Sequence, residues 1–271
     1  MSEIYDLKQG DLPLVVSLPH SGESLGPFAD KMAPAAKRLV DTDWHLPKLY
    51  DFLDDMDVTV LAAKHSRYVV DLNRDPLGKS LYPGQNVTEL CPTTTFAEED
   101  LYKPGQAPDV AEVKARLEKY WQPYHSALRA EVERIKGLHG FVFLWDGHSI
   151  ASEVPRFFDG RLPDFNLGSN DGNSCDADIA QRVLNAVSEP HYTKVLDGRF
   201  KGGYITRTYG DPANDIHALQ LELSQITYMS ESHPFGYIPE KARHAARTIS
   251  LMIDALLACG GNLASESSAH N

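Results

Sequence analysis

Three apolar runs in this chain each stop at ionisable residues, and that arrangement narrows the available folds more than any other feature. Leu12-Pro13-Leu14-Val15-Val16-Ser17-Leu18 closes on Pro19 and His20. Arg67-Tyr68-Val69-Val70-Asp71-Leu72 ends in Asn73-Arg74, and the run 140–145 leads into Asp146-Gly147-His148. Short β-branched, apolar runs bounded by turn residues read as buried strands. Two further strands are expected over 58–63 and 218–223.

Helical spacing separates these runs. Residues 43–56 carry Leu46, Leu49, Tyr50 and Leu53 on one face, with Pro47 in the first turn. A long amphipathic helix, or two interrupted near Pro123, is expected over 111–136. Residues 176–187 form another with Asp176 as its cap, and 239–257 a closing helix before a polar, frayed tail after Gly260. The stretch 76–108, rich in Gly, Pro and Thr, reads as an irregular surface excursion that could serve as a lid. Strands alternating with helices over 271 residues, with no repeat or linker, predict one α/β domain spanning 1–271. In such folds ligand sites gather at the C-terminal ends of strands, where the ionisable residues stand.

Composition excludes several partners. The chain has 38 acidic against 26 basic residues, a net charge of −12, which opposes nucleic acid and anionic membranes. Three cysteines, odd in number and far apart, fit neither a disulfide framework nor a cysteine metal cluster. With no signal-like start and no run long enough to span a bilayer, a cytoplasmic protein is expected. There is no GxSxG elbow, phosphate-binding loop or GxGxxG, which removes the common serine-hydrolase and nucleotide-binding readings.

What remains suits a metal-dependent hydrolase, for which three His or carboxylate ligands and an open position are needed. His20 and His148 are the first two ligand candidates. The third is open among Asp43, Glu23 and His45, and the local His-x-x-Glu spacing favours Glu23. Among 11 histidines a given one is more often structural, and His125, His139, His217 and His233 are read so. Asp146, two residues before His148, would either orient its imidazole or cap the turn at Gly147. Glu222 lies among leucines, where a carboxylate needs a partner, and is the candidate general base for the attacking water. Its alternative is a solvent-facing glutamate on an amphipathic strand. Arg74 with Asn73, and Arg207, could hold substrate carboxylates. Gly202-Gly203 would let backbone approach a ligand, or form a plain turn.

The ordered set Ser17-Leu18-Pro19-His20-Ser21-Gly22, Asp41-Thr42-Asp43-Trp44-His45, Val70-Asp71-Leu72-Asn73-Arg74, Trp145-Asp146-Gly147-His148-Ser149, 162–168, 200–207 and Gln220-Leu221-Glu222-Leu223 resembles the N-formylglutamate amidohydrolases of histidine degradation over almost the whole chain. That family is similar to zinc carboxypeptidases and aspartoacylases. The resemblance implies a mixed sheet flanked by helices, one catalytic Zn2+, and release of formate from N-formyl-L-glutamate, a small acidic substrate. It implies His20, Asp43 and His148 as ligands, Glu222 as base, and Asn73, Arg74 and Arg207 at the substrate, with Glu23 retained as the alternative to Asp43. Rival readings are an amidohydrolase for another N-acyl amino acid, a short-peptide carboxypeptidase, or a non-catalytic binder of small anions. Oligomeric state is not indicated.

Overall fold

The computed structural model describes residues 3–79 and 88–269. Among them, seven strands form one mixed sheet: β1 (Tyr5–Lys8), β2 (Leu14–Leu18), β3 (Thr59–Ala63), β4 (Val142–Ile150), β5 (Phe165–Gly168), β6 (Lys194–Leu196) and β7 (Ile216–Ser224). Their lateral order is β1-β3-β2-β4-β7-β5-β6. The central four, β3, β2, β4 and β7, run parallel. β1 and β5 are antiparallel to their inner neighbours, and β6 follows β5 in parallel.

The helices are α1 (Pro34–Lys37), α2 (Leu46–Leu49), α3 (Val110–Arg116), α4 (Gln122–His139), α5 (Ala177–Asn185), α6 (Tyr204–Tyr209) and α7 (Pro239–Ala269). Strand side chains alternate between faces, so each strand feeds two cores. Leu14, Val16, Leu18, Phe143, Trp145, Leu219 and Leu221 pack with residues of α2, α5 and α7. Val15, Val142, Leu144 and Ala218 pack on the other side with Leu128, Val132 and Ile135 of α4 and Ile205 of α6. Trp145 is fully buried and donates its Nε1–H to Tyr50 Oη at 2.9 Å, so truncating it to alanine would cost about 3–5 kcal/mol. On the α4 face the apolar residues give way, toward the strand ends, to Asp146 and His148 on β4 and Gln220 and Glu222 on β7.

Several expectations change. The run 67–72 is not a strand. Val69 N–H bonds back to Ser66 O at 2.8 Å and Asp71 N–H to Leu90 O at 2.7 Å, so it coils through turns despite its apolar content. The helix expected over 43–56 breaks into α2 and a 3-10 turn, Asp51–Asp55, with His45 left-handed at φ 61°. The strand expected to stop at Trp145 continues to Ile150, so Asp146 and His148 belong to β4 itself. α7 runs on to Ala269 where a frayed tail was expected. Asp176 does cap α5, accepting from the N–H groups of Asp178 and Ile179. Part of the 76–108 excursion lies outside the described residues. No described helix is long and apolar enough to cross a membrane.

Between α3 and α4 the chain makes a widened turn, Leu117–Trp121, in which Gln122 N–H reaches back to Leu117 O. This π-type turn carries an extra residue relative to the α-helix. Trp121 stacks on His125, ring centroids 3.7 Å apart, and donates its Nε1–H to Arg74 O at 3.1 Å. His125 Nε2 lies 2.8 Å from Leu72 O. The two rings thereby grip the backbone on either side of Asn73, and His125 keeps the structural role expected of it.

Candidate active site

β2 delivers His20 just past its end, and Asp43 follows in the loop held by Asp43 N–H to His20 O at 3.1 Å. His148 projects from β4. All three are buried, and one ligand atom from each lies within 4.8 Å of the others. Asp43 Oδ2 sits 3.1 Å from His148 Nδ1 and 3.9 Å from His20 Nδ1. Of the three candidates for the third position, Asp43 is the one that reaches the imidazoles. Glu23 is exposed, and His45 turns its Nε2 to Phe235 O at 2.7 Å.

Each imidazole is steadied from behind by a second carboxylate. His20 Nε2 is 2.7 Å from Asp71 Oδ1, and His148 Nε2 is 3.1 Å from Asp146 Oδ1. This fixes ring orientation and aims both Nδ1 atoms at Asp43, the geometry that metal-ligating histidines use. Two neutral imidazoles and one carboxylate are a donor set suited to a divalent transition ion such as zinc.

The charges around the trio are strongly coupled. Burial lowers the His20 pKa, and the nearby Arg67 lowers it further, outweighing Asp71. Burial also works against the cationic form of His148, but Asp146 and Asp43 hold its pKa well above the ordinary value. Asp71 is fully buried, which alone would raise it, yet Arg67 at 2.7 Å and His20 keep it well below the carboxylate range. Glu222 is buried and pushed up to about 8, mainly by burial and by the charges of Asp43 and Asp146, with His148 and Arg67 opposing. Its Oε2 accepts from Gln220 Nε2 at 3.1 Å.

These groups open onto a cavity at the strand ends. His20, His148, Gln220 and Glu222 form its polar floor, with Asn73, Arg67 and Arg74 beside them, and Phe96, Ile150, Phe157, Phe200 and Arg199 also line it. Asn73 is a strut as well as a wall: Nδ2 donates to Asp146 Oδ2 at 3.3 Å, and Oδ1 accepts from Ile205 N–H at 2.8 Å. Arg74 is braced on Thr88 O and Thr88 Oγ1. Gly203 meets the Asn73 amide so closely that a Cβ would fall 2.4 Å from Nδ2, so the Gly-Gly pair serves close approach to a side chain. Arg207 lies outside this lining, half-buried on α6, with its Nε–H on Gly202 O at 2.7 Å. Of the 76–108 excursion, Phe96 reaches the cavity, and its N–H is tied to Asp41 Oδ2 at 2.9 Å. Sequence reasoning missed Arg67, Asp71, Gln220 and Arg199. The first two lay inside a run read as a strand, while Arg199 stands in a loop without motif or period.

A family model for N-formylglutamate amidohydrolase matches residues 12–229. The chain belongs to the N-formylglutamate amidohydrolase family. Within it, the chain is 48% identical over 262 residues to the N-formylglutamate deformylase of Pseudomonas putida, covering 96% of this chain and 98% of that one. The N-formylglutamate deformylase of Pseudomonas aeruginosa is 48% identical over 263 residues, again 96% and 98%. Among solved structures, an N-formylglutamate amidohydrolase from Ralstonia eutropha superposes with a TM-score of 0.77 at 26% identity, covering 99% of each chain. The mixed α/β sheet expected from the resemblance is therefore the family's fold.

Proposed function

We propose that this chain hydrolyses N-formyl-L-glutamate to formate and L-glutamate, as a cytoplasmic step of histidine breakdown that depends on one zinc ion. The observation that carries the reading is the buried Glu222 carboxylate beside the His20, Asp43 and His148 trio, in a cavity that three arginines line. The family membership and the two Pseudomonas deformylases support the same substrate.

His20 Nδ1, Asp43 Oδ2 and His148 Nδ1 would hold the ion, which when bound supplies Lewis-acid polarisation of the formyl carbonyl. Glu222 takes a proton from the attacking water as its oxygen bonds to the formyl carbon. It then returns that proton to the amide nitrogen as the C–N bond breaks, so formate and the free amine leave. Burial raises the Glu222 pKa in the metal-free protein and a bound cation would lower it, so the two effects oppose at the group that must both accept and release the proton. Arg67, anchored by Asp71, contributes positive charge where the carbonyl oxygen becomes negative. Arg74 holds the α-carboxylate. A chain of net charge −12 repels a dianionic substrate at long range, so these local guanidinium groups must overcome the field.

The test is formate release from N-formyl-L-glutamate by purified protein, before and after chelation and after zinc is restored. Release that stops on chelation and returns with zinc is expected. No release from zinc-replete protein would overturn the substrate assignment.

A further inference from the structure

We propose that Arg199 reads the side-chain carboxylate of the substrate, so that the site selects N-formyl amino acids whose side chain ends in an acid group. The inference rests on the deformylase reading above and assigns to Arg199 the role that sequence alone suggested for Arg207.

The cavity has two unlike ends. At one, Arg67 and Arg74 lie 2.7 and 4.0 Å from the Asp71 carboxylate, and Arg67 also feels the charges of Asp43 and Asp41. Both guanidinium groups line the cavity there, where one substrate carboxylate and the carbonyl oxygen would meet them. At the other, Arg199 enters from the loop after β6, two strands beyond β7 in the sheet order. Its Nε–H is fixed on Phe157 O at 2.7 Å, and its guanidinium carbon lies 5.2 Å from the centre of the Phe200 ring. A half-buried guanidinium lining a cavity beside an aromatic ring favours an anion more than a fully exposed one does, because solvent screens the pair less.

Apolar residues link the two: the Phe96 ring centre lies 4.9 Å from the Arg67 guanidinium carbon and 4.9 Å from the Phe157 ring, whose residue holds Arg199 through its carbonyl, and Ile150 also lines the cavity. Such a wall suits methylene groups. A glutamyl skeleton has that pattern: an anion at each end and two methylenes between. A neutral side-chain end would forgo the charge-assisted hydrogen bonds that a carboxylate makes with a guanidinium, and rejection of analogues lacking a required polar group is the stronger kind of discrimination.

The experiment compares formate release from N-formyl-L-glutamate and N-formyl-L-glutamine by zinc-loaded wild type, Arg199→Gln and Arg199→Lys. The wild type should prefer the glutamate substrate in kcat/KM by about 30-fold or more, chiefly through KM. Arg199→Gln should collapse the preference to within a few-fold, and Arg199→Lys should keep part of it. A preference that survives in Arg199→Gln, or one absent from the wild type, overturns the inference and leaves the deformylase reading standing. If neither substrate is cleaved, the deformylase reading fails, and calorimetric binding of glutarate against butyrate decides the role of Arg199. Glutarate binding more tightly to wild type but not to Arg199→Gln supports it, and equal binding of the two acids to wild type overturns it. Melting curves confirm that both variants fold, and Arg199→Lys carries the test should Arg199→Gln not fold.

Discussion

His148 and Glu222 stand at paired positions on the neighbouring parallel strands β4 and β7. One step back along the same face, Asp146 pairs with Gln220. On its other side Glu222 pairs with Asn166 of β5. Backbone ladders therefore set the spacing between the ligand candidate and the base candidate, and a one-residue slip of either strand would turn its side chain to the opposite face.

Because the ladder holds the backbone, Glu222→Gln removes the proposed proton acceptor without moving the strand. Loss of a general base typically costs about 10²–10⁴ in rate. We expect kcat to fall within that range with KM and zinc content nearly unchanged. A kcat within threefold of wild type would exclude Glu222 as the base.

In the metal-free protein Glu222 has its pKa at about 8, against 4.5 for an ordinary glutamate. Between those values the folded state holds a proton that the unfolded chain has released. Its contribution is thus full below the lower value and is lost as pH rises toward the upper one. Glu222→Gln, which cannot ionise, should melt higher than wild type at about pH 9 and alike near pH 4.5, both after chelation. Identical curves at both pH values would contradict the raised pKa.

Asp146 and Asp43 hold His148 protonated in the metal-free state despite burial. An imidazole that ligates metal must be neutral, so zinc binding should release the His148 proton at neutral pH, together with any that the ion's charge displaces from Glu222, and should weaken as pH falls. Calorimetry in buffers of different ionisation enthalpy measures this directly. Asp43→Ala should lower affinity by more than the roughly 10–100-fold typical of residues that only orient ligands.

Arg74→Ala should cost about 2–5 kcal/mol of substrate binding if the guanidinium pairs with a desolvated carboxylate. The loss should appear in KM rather than kcat. Unaltered kinetics would move the carboxylate elsewhere.

Gly203→Ala places a methyl 2.4 Å from Asn73 Nδ2, and the side chain must shift away from Asp146 and the Ile205 N–H. Misplacement on that scale should reduce kcat/KM by about 10-fold or more. Gly172→Ala is the contrasting variant: it has open space around it but a φ of 84°, so it should lose about 1 kcal/mol of stability and little activity.

The candidate site residues were legible where they interrupted strong patterns. His20 closed an apolar run, and Glu222 broke a row of leucines. His148 was legible too, although its strand runs past it. The third candidate ligand could not be separated by spacing, since Asp43 reaches the imidazoles through a loop whose path depends on tertiary bonds, while Glu23 sits nearer His20 in sequence and faces solvent. Residues 67–72 show the opposite failure. Their apolar alternation mimics a strand, but turn bonds to Ser66 and the ion pair of Arg67 with Asp71 decide the conformation. Strands β1, β5 and β6 were too short to carry a period, and Arg199 depends on a loop whose position only the assembled sheet defines.

The widened turn at Leu117–Trp121 bears on how such a site diverges. A π-type turn absorbs a single extra residue while the helix on either side keeps its face toward the core. Gain or loss of one codon there would leave the packing of α4 intact and still withdraw the indole from Arg74 O. Within a lineage, insertions and deletions at this one point would retune the loop that carries Asn73 and Arg74, whereas substitutions along the rest of the helix would be filtered by the core first.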